Sequence, residues 1–130
     1  MTAGITAPGV GPLRLATRGS EQALAQSRHV ADALAARTGR SVELVLVSTQ
    51  GDIQRDRPIH ELGGQGVFVK EVQAAVLDGR ADLAVHSAKD LPSSTTTPGL
   101  TLACVPQRSD PRDALAGAAL SALPEGATIA

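Results

Sequence analysis

The sequence predicts an α/β domain with a mostly parallel sheet and flanking helices, and three observations carry that expectation. Apolar, largely β-branched or aliphatic runs alternate with amphipathic stretches in the order β-α-β-α-β. Polar clusters stand where successive strands end, the edge at which open α/β sheets gather ligands. The hydrophobic fraction is 42%, with one Phe and no Trp or Tyr among 130 residues, so the core must be aliphatic.

Residues 1–12, MTAGITAPGVGP, have neither a basic start nor an apolar run. They are expected to form a flexible leader rather than a signal peptide. LRLAT (13–17) reads as a short strand. In SEQALAQSRHVADALAART (20–38) the spacing becomes helical: Ala23, Val30 and Leu34 share a stripe flanked by Leu24, Ala31 and Ala35. Ser20 can cap this helix, Glu21 suits its first turn, and Gly39 closes it. VELVLVS (42–48) is suited to a buried strand, and residues 49–66 form a long polar connection ending in GGQG. VFVKEVQAAVLDG (67–79) is the second expected helix, with Phe68, Val72, Ala75 and Val76 on one face. ADLAVHS (81–87) is a third strand and PSSTTTPG (92–99) a loop. LTLACVP (100–106) reads as a fourth strand, in which Cys104 packs as a small buried hydrophobe. DPRDALAG (110–117) suggests a crossing segment, and LPEGATIA (123–130) the opening of another strand. The expected organisation is a leader at 1–12, a first α/β domain at 13–106, and at 107–130 a crossing segment with the start of a second α/β domain. The chain is expected to be the front part of a longer protein.

The charge balance is close to even: 12 Lys and Arg against 13 acids, a net charge of −1. No global field draws nucleic acid or an anionic membrane, so any anion site must be local. With Phe68 the only aromatic residue, single-strand stacking is not expected. A single cysteine permits no internal disulfide and fits a reducing compartment, the cytoplasm by default. His29, His60 and His86 lack metal-ligand spacing, so no metal site is expected.

The polar clusters are TRGS after the first strand, STQGD after the second and HSAKD after the third. TRGS leads into a helix N-terminus, whose free N–H groups suit a carboxylate or phosphate. Arg18 adds a bidentate partner for such an anion, although the same residues would also serve as an ordinary capped loop. In HSAKD, strand alternation would send His86 to the face opposite Ser87, which argues against a hydrolase pair. Ser87 and Lys89 would share a face, but the SxxK signature is absent. Lys89 and Asp90 read either as a strand-end ion pair or as a cation and a carboxylate presented to a ligand. His86 is expected to be a core or supporting hydrogen-bonding residue. GGQG lacks the phosphate-loop pattern and suits a mobile loop instead.

Taken together, LRLATRGSEQALAQ, GGQGVFVKEV, ADLAVHSAKDLPS and CVPQRSDPRDAL resemble the porphobilinogen deaminase (hydroxymethylbilane synthase) family, colinearly from about Leu13 to Leu115. The resemblance implies the first of three domains and the start of the second, with an incomplete fold of the type 2 periplasmic-binding-protein kind. It implies a transferase of tetrapyrrole (heme) biosynthesis that joins four porphobilinogen molecules head to tail. Each condensation releases ammonia, and the product is hydroxymethylbilane. The implied cofactor is dipyrromethane, held by a thioether to a cysteine of the third domain, outside this chain. Asp90 matches the family carboxylate that stabilises positive charge at the pyrrole nitrogens. Arg18, Ser20 and Lys89 match positions that hold the carboxylates of cofactor or substrate, Ser87 a polar contact to the cofactor, and Gln26 a position lining the cleft. Gln65, Glu61 and Gln50 depart from basic residues common in the family. By the same resemblance the complete protein is expected to be a monomer, and this chain alone inactive. The competing readings are a non-catalytic small-anion-binding module of periplasmic-binding-protein type and a Ser-Lys hydrolase. Asp90 separates the first of these, since a pure anion binder gains nothing from a carboxylate beside its ligand.

Overall fold

The computed structural model describes residues 11–49, 68–92 and 97–129. Within them run β1 (Leu13–Thr17), α1 (Glu21–Thr38), β2 (Val42–Leu46), α2 (Lys70–Leu77) and β3 (Leu83–Ala84). Two short 3-10 turns follow, at Ala88–Asp90 and Leu120–Ala122. The strands form one parallel sheet in the order β2-β1-β3, with Leu13 opposite Val42 and Leu15 opposite Leu83. The expected α/β class and parallel sheet are therefore present. With β1 central, the chain following β1 and the chain following β3 emerge side by side at the carboxyl end of the sheet.

The first helix keeps close to its sequence signals. Ser20 is extended at the cap and its side chain accepts a hydrogen bond from the Ala23 N–H at 3.3 Å. Gly39 ends the helix at φ 68°, a left-handed conformation that suits glycine. The buried stripe differs from expectation: it centres on Ser27 and Ala31, while Ala23, Leu24, Val30, Leu34 and Ala35 are only half-buried. Ser27 lies one helical step from both Ala23 and Ala31, so the geometry puts a hydroxyl at the middle of the packed face.

The core is small and aliphatic. Ala16, Val47, Val72, Ala75 and Ala81 form one cluster, joined by the half-buried Val45, Val76 and Ala84. Leu15 is fully buried, which contributes about 1.5–3 kcal/mol of transfer free energy. The second helix is shorter than the expected 67–79, and Phe68 precedes it instead of joining its apolar face. Val69, just before the helix, is nearly fully buried, and Val72 and Ala75 complete the packed face.

The expected third strand over 81–87 contracts to two residues, although Asp82 and Val85 extend its ladder by donating to the carbonyls of Arg14 and Ala16. The expected strand over 100–106 does not form: residues 101–110 are exposed and without regular structure. Strand propensity expresses packing against neighbours, and among the described residues nothing pairs with this run. Leu102 and Val105 remain 72% and 79% exposed. Cys104 is consequently an exposed free thiol, not the buried hydrophobe expected. Residues 123–129 likewise form no strand. The leader through residue 10, residues 50–66 of the polar connection with Gln50, Glu61 and Gln65, Val67 of the expected helix and residues 93–96 of the expected loop lie outside the described residues.

One surface ion pair fastens the amino end of β1 to the α2–β3 turn. The Arg14 guanidinium meets both oxygens of Asp82 at 2.8 and 3.3 Å and donates to the Gly79 carbonyl at 2.7 Å, while the Arg14 N–H also binds Asp82. These side-chain and backbone hydrogen bonds from Arg14 lower the Asp82 carboxyl from 3.8 to about 2. The folded state thus holds this proton less readily than the unfolded chain. Its contribution to stability is complete above the ordinary carboxylate value and disappears as pH falls through the folded value. Asp82→Asn should therefore flatten the loss of melting temperature between about pH 4 and pH 2. An unchanged acid limb in that variant would show the pair to be unimportant.

Candidate functional site

The carboxyl ends of β1 and β3 carry two of the three polar clusters, and the parallel pairing of these neighbours brings the clusters together. After β1 the chain turns through Arg18 and Gly19 to Ser20, the cap of α1. The Ser20 oxygen accepts from the helix, which leaves its hydroxyl proton to donate outward. Arg18 is half-buried, with its guanidinium 4.1 Å from the centroid of the Phe68 ring. Stacking on a ring orients the planar fork. The chain's one aromatic side chain is thus spent on the arginine and not on the core. Phe68 was missed as a site residue because its spacing fits the apolar face of α2; the available signal was the scarcity of aromatics.

After β3 the chain leaves the strand, so alternation no longer governs the polar set. Ser87 takes the cap position of the 3-10 turn Ala88–Asp90, closed by the Asp90 N–H donating to the Ser87 carbonyl at 3.0 Å. The Ser87 hydroxyl donates to Gln26 Oε1 on α1 at 2.9 Å. That bond unites two sequence-predicted site residues and directs the serine proton to an amide, away from Lys89. The strand that would have put Ser87 and Lys89 on one face ends at Ala84. Lys89 is exposed on the turn, and no ion pair joins it to Asp90 among the described residues.

His86, the first residue of the HSAKD cluster, feels charges from both clusters. Burial pushes its imidazole below the usual value; the Asp90 carboxylate pulls the other way, and the Arg18 guanidinium adds to the lowering. The balance favours the uncharged ring, with opposing influences from one charge of each sign. Its Nε2 is buried and has no hydrogen-bond partner among the described residues. Such an atom is normally satisfied by a ligand or ordered water. Of the third cluster, Ser48 is exposed and Thr49 buried, while Gln50, Gly51 and Asp52 fall outside the described residues.

Chemically the arrangement combines a half-buried planar cation, an exposed cation, hydroxyl and amide groups, and one carboxylate. The cations and polar hydrogens can pair with anionic groups, and the carboxylate with positive charge. These features define a class, a parallel α/β unit that presents anion-binding groups at the carboxyl end of its sheet. Residues 13–130 match the family model described as porphobilinogen deaminase, dipyromethane cofactor binding domain, and the chain belongs to the porphobilinogen deaminase family. It is 50% identical over 121 residues to a probable porphobilinogen deaminase of Methanopyrus kandleri, covering 90% of this chain and 40% of the relative. A porphobilinogen deaminase of Roseiflexus castenholzii shows the same identity and coverage. That of Sorangium cellulosum is 51% identical over 121 residues, again covering 90% and 40%. The chain thus spans about 40% of the length of these relatives.

Proposed function

We propose that this chain supplies the amino-terminal part of a porphobilinogen deaminase, a transferase that condenses four porphobilinogen molecules into hydroxymethylbilane with release of ammonia. The observation that carries the reading is the meeting of the β1-end and β3-end clusters at the carboxyl end of one parallel sheet, where the Ser87 hydroxyl donates to Gln26 on α1. The donor set fits dipyrromethane, whose pyrroles bear acetate and propionate groups. Arg18, Ser20 and Lys89 would hold those carboxylates, and Ser87 with Gln26 would give neutral polar contacts. When bound, dipyrromethane supplies the free pyrrole carbon to which the next unit is joined.

The chain's own residues do the rest. Arg18 and Lys89 neutralise and orient substrate carboxylates. As ammonia leaves porphobilinogen, positive charge spreads onto the pyrrole nitrogen, and the Asp90 carboxylate offsets it. Burial of the His86 ring disfavours its cationic form beside the place where positive charge develops. No described helix is long and apolar enough to cross a membrane. The exposed Cys104 thiol is compatible with a reducing cytoplasm. Residues 13–106 would form the first domain and 107–130 the passage toward the second.

The test is to supply porphobilinogen to the full-length protein and follow ammonia and product together. One ammonia per substrate consumed, with a linear tetrapyrrole as product, is the expected result. Binding without ammonia release would favour the anion-binding module instead. A second expectation concerns Cys104. It is an exposed free thiol in the irregular run over 101–110. Cys104→Ser should retain the covalent dipyrromethane, read by intact mass. A variant lacking that mass would make Cys104 the anchor.

A further inference from the structure

Directly beneath the Arg18–Ser20 turn lies a hydroxyl pair that the proposed chemistry does not use. Thr17 ends β1, Ser27 sits in the second turn of α1, and both are fully buried. The Ser27 hydroxyl donates to Thr17 Oγ1 at 2.7 Å. The Thr17 hydroxyl in turn faces two carbonyls, of Arg18 and of Ala23, each at 3.4 Å. One small network therefore joins the strand end, the peptide that carries Arg18 and the first turn of the helix capped by Ser20. An apolar core gains little from such a pair. Apolar groups of the same shape at both positions are typically neutral or stabilising, whereas removing one partner strands the other. Two buried hydroxyls at this strand–helix contact call for another reason.

We propose that Thr17 and Ser27 are positioning residues that set the orientation of the Arg18 peptide and the α1 amino terminus toward a carboxylate ligand. The inference rests on the site reading above. Without the network, Val and Ala would still pack β1 against α1. The Arg18 peptide would lose the hydroxyl that faces its carbonyl, and the guanidinium would sample positions unfavourable to binding. Misplacement of a binding group by a fraction of an ångström to an ångström has large kinetic consequences.

The double variant Thr17→Val with Ser27→Ala, made in the full-length protein, is the clean test because it leaves no stranded hydroxyl. It should melt at the wild-type temperature or above, yet load less dipyrromethane by intact mass before any substrate is added. The KM for porphobilinogen should rise on the order of tenfold, with kcat falling less. Thr17→Ser keeps the hydroxyl and should retain wild-type KM and loading. Wild-type KM and loading in the double variant would overturn the proposal. A melting temperature well below wild type would also overturn it, since the pair would then be a fold-stabilising bond. Arg18→Leu, measured alongside, separates the two levels of the argument. If it too leaves KM unchanged, the site reading itself fails; if only the double variant is silent, the positioning role alone fails.

Discussion

Replacing Arg18 by leucine in the full-length protein is expected to leave the fold intact and the protein largely without cofactor. Arg18 sits outside the aliphatic cluster, and leucine can still cover the Phe68 ring against which the guanidinium now lies. What disappears is a charge-assisted pair with a carboxylate, worth roughly 1.5–3 kcal/mol. That converts to a loss of roughly ten- to a hundredfold in affinity. Arg18→Lys should recover only part of it, because an ammonium lacks the planar fork that stacks on a ring and grips both oxygens. Intact mass reports cofactor loading, and the melting temperature reports the fold. A fully loaded Arg18→Leu protein turning over at the wild-type rate would reduce the residue to a surface cap.

Asp90→Asn is expected to spare loading and to slow chemistry. The side chain is half-buried on a 3-10 turn, away from the packed cluster, so its replacement should not unfold the protein. Asparagine keeps the shape and removes the charge. Loss of one well-placed electrostatic stabiliser costs on the order of a hundredfold or more in rate. The fall should appear in kcat, with KM much less affected, since the interaction strengthens as positive charge develops. A change confined to KM would instead assign Asp90 to ground-state binding.

The sequence made much of this visible, for identifiable reasons. Local chemistry survives translation into structure: Ser20 caps α1 and Gly39 ends it in the left-handed conformation. The β-branched run over 42–46 pairs in parallel with β1. Cooperative features were less legible. A strand at 100–106 needs a neighbour, and among the described residues it has none, so the same apolar residues stand exposed and Cys104 with them. The turn at Ala88–Asp90 replaces the strand end on which face assignments for His86, Ser87 and Lys89 depended. Thr17 and Ser27 passed as ordinary polar residues because burial is a tertiary property. Ser27 nevertheless fell on the helical step between Ala23 and Ala31. The Ser87–Gln26 bond connects residues 61 apart, which no periodicity reveals, although both had been singled out separately by resemblance.

The central claim is that Asp90 provides a negative charge, at a carboxylate-binding site, to the step that releases ammonia. Single-turnover ammonia release by the cofactor-loaded full-length protein, compared between Asp90→Asn and Asp90→Glu, addresses it most directly. Glutamate preserves the charge and displaces it by one methylene, whereas asparagine preserves position and removes charge. The Glu variant should release ammonia measurably faster than the Asn variant, with both slower than wild type. Equal impairment of the two, or an Asn variant at full speed, would contradict the claim.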